Sequence, residues 1–234
     1  MMVNLLLLFK WRKLGMKKKL AIIHTTPVTI EPLKELAVKT IGDCEIINLV
    51  DDSILPQLSK NGGNIQEIAQ RWESYAKIAE QQGADCILNA CSSIGELVSI
   101  TQPKVSTPIV RIDDAMAEFA IHSAEKIGVA ATLETTLKPT LELLKQKASE
   151  KGKAVEIEPI LVASAYQKLM AHDKEGHDLD LAIALRELAK KVDIVVLAQA
   201  SMARVVSNFT EEEQSLFVTS PELGMDAVKR TLQK

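Results

Sequence analysis

A thiol, two hydroxyls and a glycine stand together at Cys91-Ser-Ser-Ile-Gly95, directly after the short apolar run Cys86 to Ala90. In open α/β sheets chemistry sits at such places, outside the carboxyl end of a strand. A helix N-terminus lowers a thiol's pKa, so Cys91 is a candidate base or nucleophile. Cys86 lies within the apolar run and reads as a small core residue, while Cys44 begins another run at the far end from the proposed site. The stretch has an echo at Val192-Asp-Ile-Val-Val-Leu-Ala-Gln-Ala-Ser-Met-Ala203. Aligned on Asp85 and Asp193, Ala90 falls on Ala198, Ser93 on Ser201 and Cys91 on Gln199. An amide therefore stands where a duplicated site would carry a second thiol.

Small hydroxyls crowd the same strand ends: Thr25, Thr26, Ser92, Ser93, Thr132 and Ser201. At helix N-termini such residues offer backbone N–H and O–H donors together, which suits a carboxylate or a phosphate. Each alone is equally an N-cap; their convergence from four loops is what argues for an anion site. His24 is a candidate base, since a neutral imidazole has a suitable pKa, and equally a buried, hydrogen-bonded strand-end residue. Asp51 and Asp52 follow the second strand pattern, where they either border the cleft or form a solvated turn. His177, in the polar stretch His172 to Asp178, reads as part of a loop over the site or as a solvated turn.

The elements that must position these residues alternate. Strand patterns at 20–24, 44–50, 86–90, 108–112, 128–131, 155–162, 192–198 and 216–219 are separated mostly by helical ones. Between 65 and 79, Ile65, Ile68, Ala69, Trp72, Ala76 and Ala79 recur on one helical face, which makes Trp72 a packing residue. Thr210 with Glu213 spells a capping box and marks a short helix before the last strand. This order implies an α/β fold with mostly parallel sheets flanked by helices. Lys19–Ile30 matches Lys126–Leu137 at an offset of 107, with Thr25 on Thr132, while Cys91 matches Gln199 at 108. Two matches at nearly one offset predict two pseudo-symmetric lobes, 16–113 and 114–234, with the site in the cleft between them. The closing helix from Pro221 has the option of packing back on the first lobe.

The chain has 234 residues, 47% of them hydrophobic, and 28 basic against 31 acidic side chains give a formal net charge of -3. That balance gives no reason to expect nucleic acid or a membrane as partner. Three cysteines without metal-ligand spacing read as reduced thiols of a cytoplasmic protein. Residues 1–15 read as an extension or a start-site artefact ahead of Met16, because Leu5 to Phe9 is far shorter than the ~20 apolar residues of a membrane helix. There is no glycine-rich dinucleotide fingerprint, phosphate-cradling lysine loop or metal-ligand set, so neither cofactor nor metal is expected.

Asn89-Ala-Cys-Ser-Ser, with Ile23-His-Thr-Thr-Pro27 before it, resembles the aspartate/glutamate/hydantoin racemase superfamily, which also includes maleate isomerases and arylmalonate decarboxylases. Lys168-Leu-Met-Ala-His-Asp-Lys-Glu-Gly-His-Asp178 and Leu197-Ala-Gln-Ala-Ser-Met202 are similar to segments of its racemase-like members, and the likeness runs from about Met16 onward. The resemblance implies a cofactor-independent enzyme of two lobes, with one cysteine on each side of a substrate α-carbon and strand-end hydroxyls holding its carboxylate. On it Cys91 matches the first-lobe cysteine, Ser92 and Ser93 the polar residues after it, and Thr25 and Thr26 the first loop. Gln199 departs from the pattern, since an amide exchanges no proton at neutral pH. Three readings follow: a racemase or epimerase of a small carboxylate, a decarboxylase or cis–trans isomerase using a single cysteine, and a scaffold that binds a small acid without turnover. A homodimer is common for such folds.

Overall fold

The computed structural model describes residues 17–199 and 202–234; the N-terminal extension, Met16 and the candidate Ser201 lie outside the described residues. Among the described residues eight strands form two four-stranded sheets. In the first, β1 (Lys18–His24), β2 (Cys44–Val50), β3 (Cys86–Asn89) and β4 (Ile109–Arg111) take the order β2-β1-β3-β4. In the second, β5 (Lys126–Ala131), β6 (Glu156–Leu161), β7 (Ile194–Leu197) and β8 (Phe217–Val218) take the order β6-β5-β7-β8. Every neighbouring pair is parallel. Parallel strands covered on both faces read as unbroken apolar runs, and Leu20 to Ile23 are all fully buried.

The two sheets repeat one another down to single hydrogen bonds. Leu20 lies opposite Cys86 and Ile127 opposite Ile194, the same register at the offsets of 107 and 108. Asp85 donates its N–H to the Lys19 carbonyl (2.8 Å) and accepts the Lys19 N–H on its carboxylate (2.9 Å). Asp193 does the same with Lys126, at 2.9 and 2.8 Å. At the other end of these strands Ala90 N–H meets the Ile23 carbonyl and Ala198 N–H the Ala130 carbonyl, both at 3.0 Å.

Alternate residues of β1 and β3 face opposite layers, as strand geometry requires. Ala21, Ile23 and Ile87 pack with Trp72, Ala76 and Ala79 of one long helix, Gln66–Gln81. Leu20, Ile22, Cys86 and Leu88 face Leu33 and Ala37 of α1 (Ile30–Ile41) on the other side. Between these elements runs α2 (Ile54–Lys60), so the Gln66–Gln81 helix is α3; α4 (Leu97–Thr101) and α5 (Asp114–Ser123) follow β3 and β4. The second half contributes α6 (Glu134–Lys151), α7 (Ala163–Met170), α8 (Lys174–Ala189), α9 (Ala203–Val206), α10 (Glu211–Gln214) and α11 (Ser220–Leu232). Both capping-box bonds of Thr210 and Glu213 are present at the start of α10.

Counted by the repeat, in which α5 follows β4 as α11 follows β8, each half runs to the end of its own last helix, past the expected boundary at 113/114, and those two helices are exchanged. Helix α5 follows β4 of the first sheet, yet its Met116, Ala117, Ala120 and Ile121 pack on Ile127, Val129, Ile194 and Val196 of the second. Helix α11 follows β8, and its Met225, Val228 and Leu232 close the first sheet's layer against Leu20, Ile22, Leu33 and Ala37. Gly224 lets α11 come close, since a Cβ there would lie 2.5 Å from the Ile112 carbonyl oxygen.

Two short helices, α2 and α7, fall where the sequence shows no clear periodicity, because one or two turns hold too few apolar positions to repeat. The polar stretch at 172–178 differs from its reading as a loop or turn. His172 takes a left-handed φ of 60°, Asp173 caps the Gly176 N–H at 2.8 Å, and α8 is under way from Lys174. Among the described residues no helix is long and apolar enough to cross a membrane.

Candidate active site

Strand β3 ends at Asn89, and the chain turns through Ala90 and an extended Cys91 (φ -138°) into a single 3-10 turn, Ser92–Ile94. Fully buried Asn89 steadies the turn by donating its side-chain amide to the Cys91 carbonyl at 3.1 Å. Gly95 follows with φ -57° and ψ -34°, values any residue adopts, so backbone freedom does not explain the glycine. Space does. A Cβ on Gly95 would lie 2.1 Å from Nε of Arg111. Arg111, from the end of β4, is gripped at both prongs by Asp113, Nε to Oδ1 at 2.6 Å and a terminal nitrogen to Oδ2 at 3.0 Å. Asp113 is 0% exposed, so the cysteine loop rests on a rigid, buried ion pair. Arg111 escapes sequence reading because only the fold brings it under Gly95; Asp113-Asp114 after a strand is the one local signal.

Cys91 is 8% exposed. Its sulfur is approached by the hydroxyls of Thr25 and Ser93 and by the backbone N–H groups of Ser93 and Ile94. Burial pushes the thiol pKa up, and these donors, which favour thiolate, only partly oppose it. This differs from the lowered pKa that a helix N-terminus would give. The turn has three residues and too little aligned backbone to act as a helix dipole, while the surrounding core excludes water. The resting group is a thiol, with a donor cradle ready for the anion it would leave.

The second lobe repeats this geometry with a different side chain. Thr132, just past β5, donates both its backbone N–H (2.7 Å) and its hydroxyl (2.9 Å) to Oε1 of Gln199, just past β7. A backbone N–H can only donate, so the amide oxygen must face Thr132 and the NH2 group must face away. Among the described residues that nitrogen has no acceptor. One repeat earlier Thr25 turns its hydroxyl alone toward Cys91. Both threonines thus serve the residue at the neighbouring strand end. The two lobes touch here: Ser93 and Thr136, the latter in the first turn of α6, are buried and share a hydroxyl–hydroxyl bond of 3.0 Å. Ser92 is buried beside them.

The remaining candidates have structural partners. His24 is 0% exposed, and its ring nitrogens meet Thr29 Oγ1 at 2.8 Å and Asn48 Oδ1 at 2.9 Å. Burial pushes its pKa down against the Asn48 hydrogen bond. By strand alternation it shares the face of Leu20 and Ile22, away from Thr25 and Cys91. Of its two expected roles the geometry supports the buried, hydrogen-bonded one. Thr26 caps the 3-10 turn Pro27–Thr29 through the Val28 N–H. Asp51 accepts from the Ser53 backbone (3.1 Å) and hydroxyl (2.5 Å) and from Tyr75 (2.8 Å), and lies 3.0 Å from Arg71 Nε. Burial works to raise its pKa, but the Ser53 and Tyr75 bonds and the Arg71 charge outweigh it and hold it low. His177, 3% exposed, sits inside α8 rather than in a loop or turn, bonded at 2.7 Å to Asp178, which Arg204 of α9 also grips. That cluster ties the start of α8 to the segment following Gln199. Among the described residues no group of His, Cys, Asp or Glu could hold a metal ion.

Comparison with known proteins agrees with this fold. The family model described as Asp/Glu/Hydantoin racemase matches residues 16–228. Among solved structures, a glutamate racemase isoform of Bacillus anthracis superposes with a TM-score of 0.73 at 14% identity, covering 92% of this chain and 82% of that one. An aspartate racemase of Picrophilus torridus gives 0.72 at 14% identity, covering 93% and 95%. A glutamate racemase of Francisella tularensis in complex with D-glutamate gives 0.71 at 13% identity, covering 93% and 81%. No curated protein matches by sequence.

Proposed function

Since the chain belongs to the Asp/Glu/hydantoin racemase family, we propose that it is a cofactor-independent, racemase-like enzyme acting at the α-carbon of a small carboxylate, with Cys91 as its acid/base. The observation that carries this reading is the setting of Cys91: a buried thiol at a strand end, with the buried hydroxyls of Thr25 and Ser93 beside it, where the two lobes meet. The resting thiol first gives its proton to solvent; the thiolate then takes the α-proton, leaving the electron pair on the planar acid, and becomes a thiol again. The hydroxyls of Thr25 and Ser93 and the N–H groups of Ser93 and Ile94 stabilise the thiolate side of that exchange. Ser92 is the candidate donor for the substrate carboxylate, whose charge grows as the α-carbon becomes planar.

A second reading rests on Gln199. Racemisation needs a proton partner on each face of the α-carbon, and the fixed amide of Gln199 is not one. Decarboxylation needs only one: the C–C bond breaks, CO2 leaves its electron pair on the planar acid, and the Cys91 S–H delivers a proton to carbon. Solvent then restores the thiol. Cis–trans isomerisation of a small dicarboxylate likewise asks for a single cysteine.

The test is incubation with L-aspartate, L-glutamate and related small acids in deuterium oxide, with α-proton exchange followed by NMR. Exchange with appearance of the opposite enantiomer establishes racemisation; exchange with retained configuration supports one-sided chemistry. Cys91→Ala should abolish either, and unchanged exchange in that variant would remove Cys91 from the mechanism.

A further inference from the structure

We propose that Gln199 is a specificity-determining residue, held by Thr132 so that its NH2 group donates to a second hydrogen-bond acceptor on the bound acid. This rests on the reading above of the Cys91 cleft as the substrate site. Three observations converge. The orientation of the amide is fixed by two donors on one oxygen, at 2.7 and 2.9 Å, and one of them is a backbone N–H that has no acceptor role. Gln199 occupies the repeat position of Cys91, with Thr132 in the role of Thr25, so the group turned away from Thr132 lies at the strand end equivalent to the thiol's. Finally, Gln199 is half-buried, so its nitrogen is held by the fold without being sealed from a ligand.

The chemical consequence is an asymmetric site. The first lobe offers a group that moves a proton; the second offers donors that move none. A donor pair aimed into a partly desolvated site favours a carboxylate or carbonyl oxygen and penalises an apolar group that leaves it unpaired. The ligand class is therefore a small acid whose substituent on the second-lobe side ends in an acceptor oxygen. Thr132, with both its donors on Gln199, acts as a positioning residue and does not itself hold the ligand.

The test uses two acids of matched length, succinate and butyrate, titrated by NMR or calorimetry against the intact chain. Wild type should bind succinate at least tenfold more tightly. Gln199→Glu keeps an oxygen for both Thr132 donors but replaces the NH2 by an anionic oxygen. It should lose tenfold to a hundredfold in succinate affinity and change butyrate affinity little. Gln199→Met removes the donors without adding charge and should bring the two acids to equal affinity, while Thr132→Ser should behave as wild type. Equal binding of both acids by wild type, no binding of either, or unchanged succinate affinity in a folded Gln199→Glu protein would each overturn the proposal. Discrimination without any α-proton exchange would leave it standing and remove the catalytic reading. Exchange without discrimination would do the reverse.

Discussion

Replacing Gly95 with alanine tests whether the buried ion pair shapes the cysteine loop. The backbone there is ordinary αR, so in an empty environment alanine would stabilise the chain by about 0.4–1 kcal/mol through the unfolded state. The environment is not empty: the new Cβ would meet Arg111 at 2.1, 2.2 and 2.6 Å, well inside the 3.4 Å of ordinary contact. Arg111 cannot swing aside at small cost, since its side chain is 9% exposed and both prongs are held by Asp113. Breaking that pair would strand a buried carboxylate at a cost of about 3–5 kcal/mol. The easier course is for the loop to move, with about 1–3 kcal/mol of overpacking strain. A displacement of about 1 Å beside Cys91 costs on the order of a hundredfold in rate. Denaturant unfolding and α-deuterium exchange measure the two effects. The decisive comparison is a background with Arg111→Ala and Asp113→Ala together, which removes the clash without stranding a charge. There Gly95→Ala should change sign and stabilise. Wild-type stability of the single variant, or an equal loss in both backgrounds, would refute the argument.

Two further outcomes follow from titration. Burial holds the Cys91 thiol above its ordinary pKa of 9.0, so alkylation by iodoacetamide should be slow at neutral pH and climb only as pH passes 9, later still in Thr25→Val. Half-maximal labelling of Cys91 at or below neutrality would contradict this, with Cys44→Ser and Cys86→Ala introduced so that one thiol reports. His24, with a pKa below 6.5 in the fold, is neutral where the unfolded ring takes a proton. Stability present above pH 6.5 should therefore fall as pH drops from there through the folded pKa, and His24→Gln should flatten that slope. An unchanged pH dependence of unfolding in the variant would place the acid sensitivity elsewhere.

The fold was largely legible because its signals are local. Buried parallel strands are apolar runs such as Leu20–Ile23, and the repeat shows because Asp85 and Asp193 each clasp a backbone N–H that fixes the strand register. The alignment of Gln199 with Cys91 was likewise a matter of register. Hydroxyl partners were not legible. Nothing in the chain's order says that Thr25 turns to Cys91, Thr132 to Gln199 and Ser93 across to Thr136. The same applies to Arg111 under Gly95, residues separated in sequence and joined only by the β3–β4 crossover. His177 was hidden for another reason: a polar run conceals a helix start when the cap, Asp173, is itself one of its polar residues.

The exchange of α5 and α11 makes each half of the chain a lender and a borrower. A fragment ending before α5 would retain the first sheet but lack Met225, Val228 and Leu232, leaving Leu20, Ile22 and Leu88 open on one side. Its complement would keep its own sheet covered yet carry α11 with no surface to lie on. Neither half is a complete folding unit, so melting should be a single cooperative event in which both sheets fail together. The exchange also constrains movement. Two separate crossings join the lobes, one between β4 and α5 and one between β8 and α11, and α5 and α11 touch each other. Any movement of one lobe against the other would have to bend both crossings at once, which favours a single hinge axis over independent wandering of the lobes.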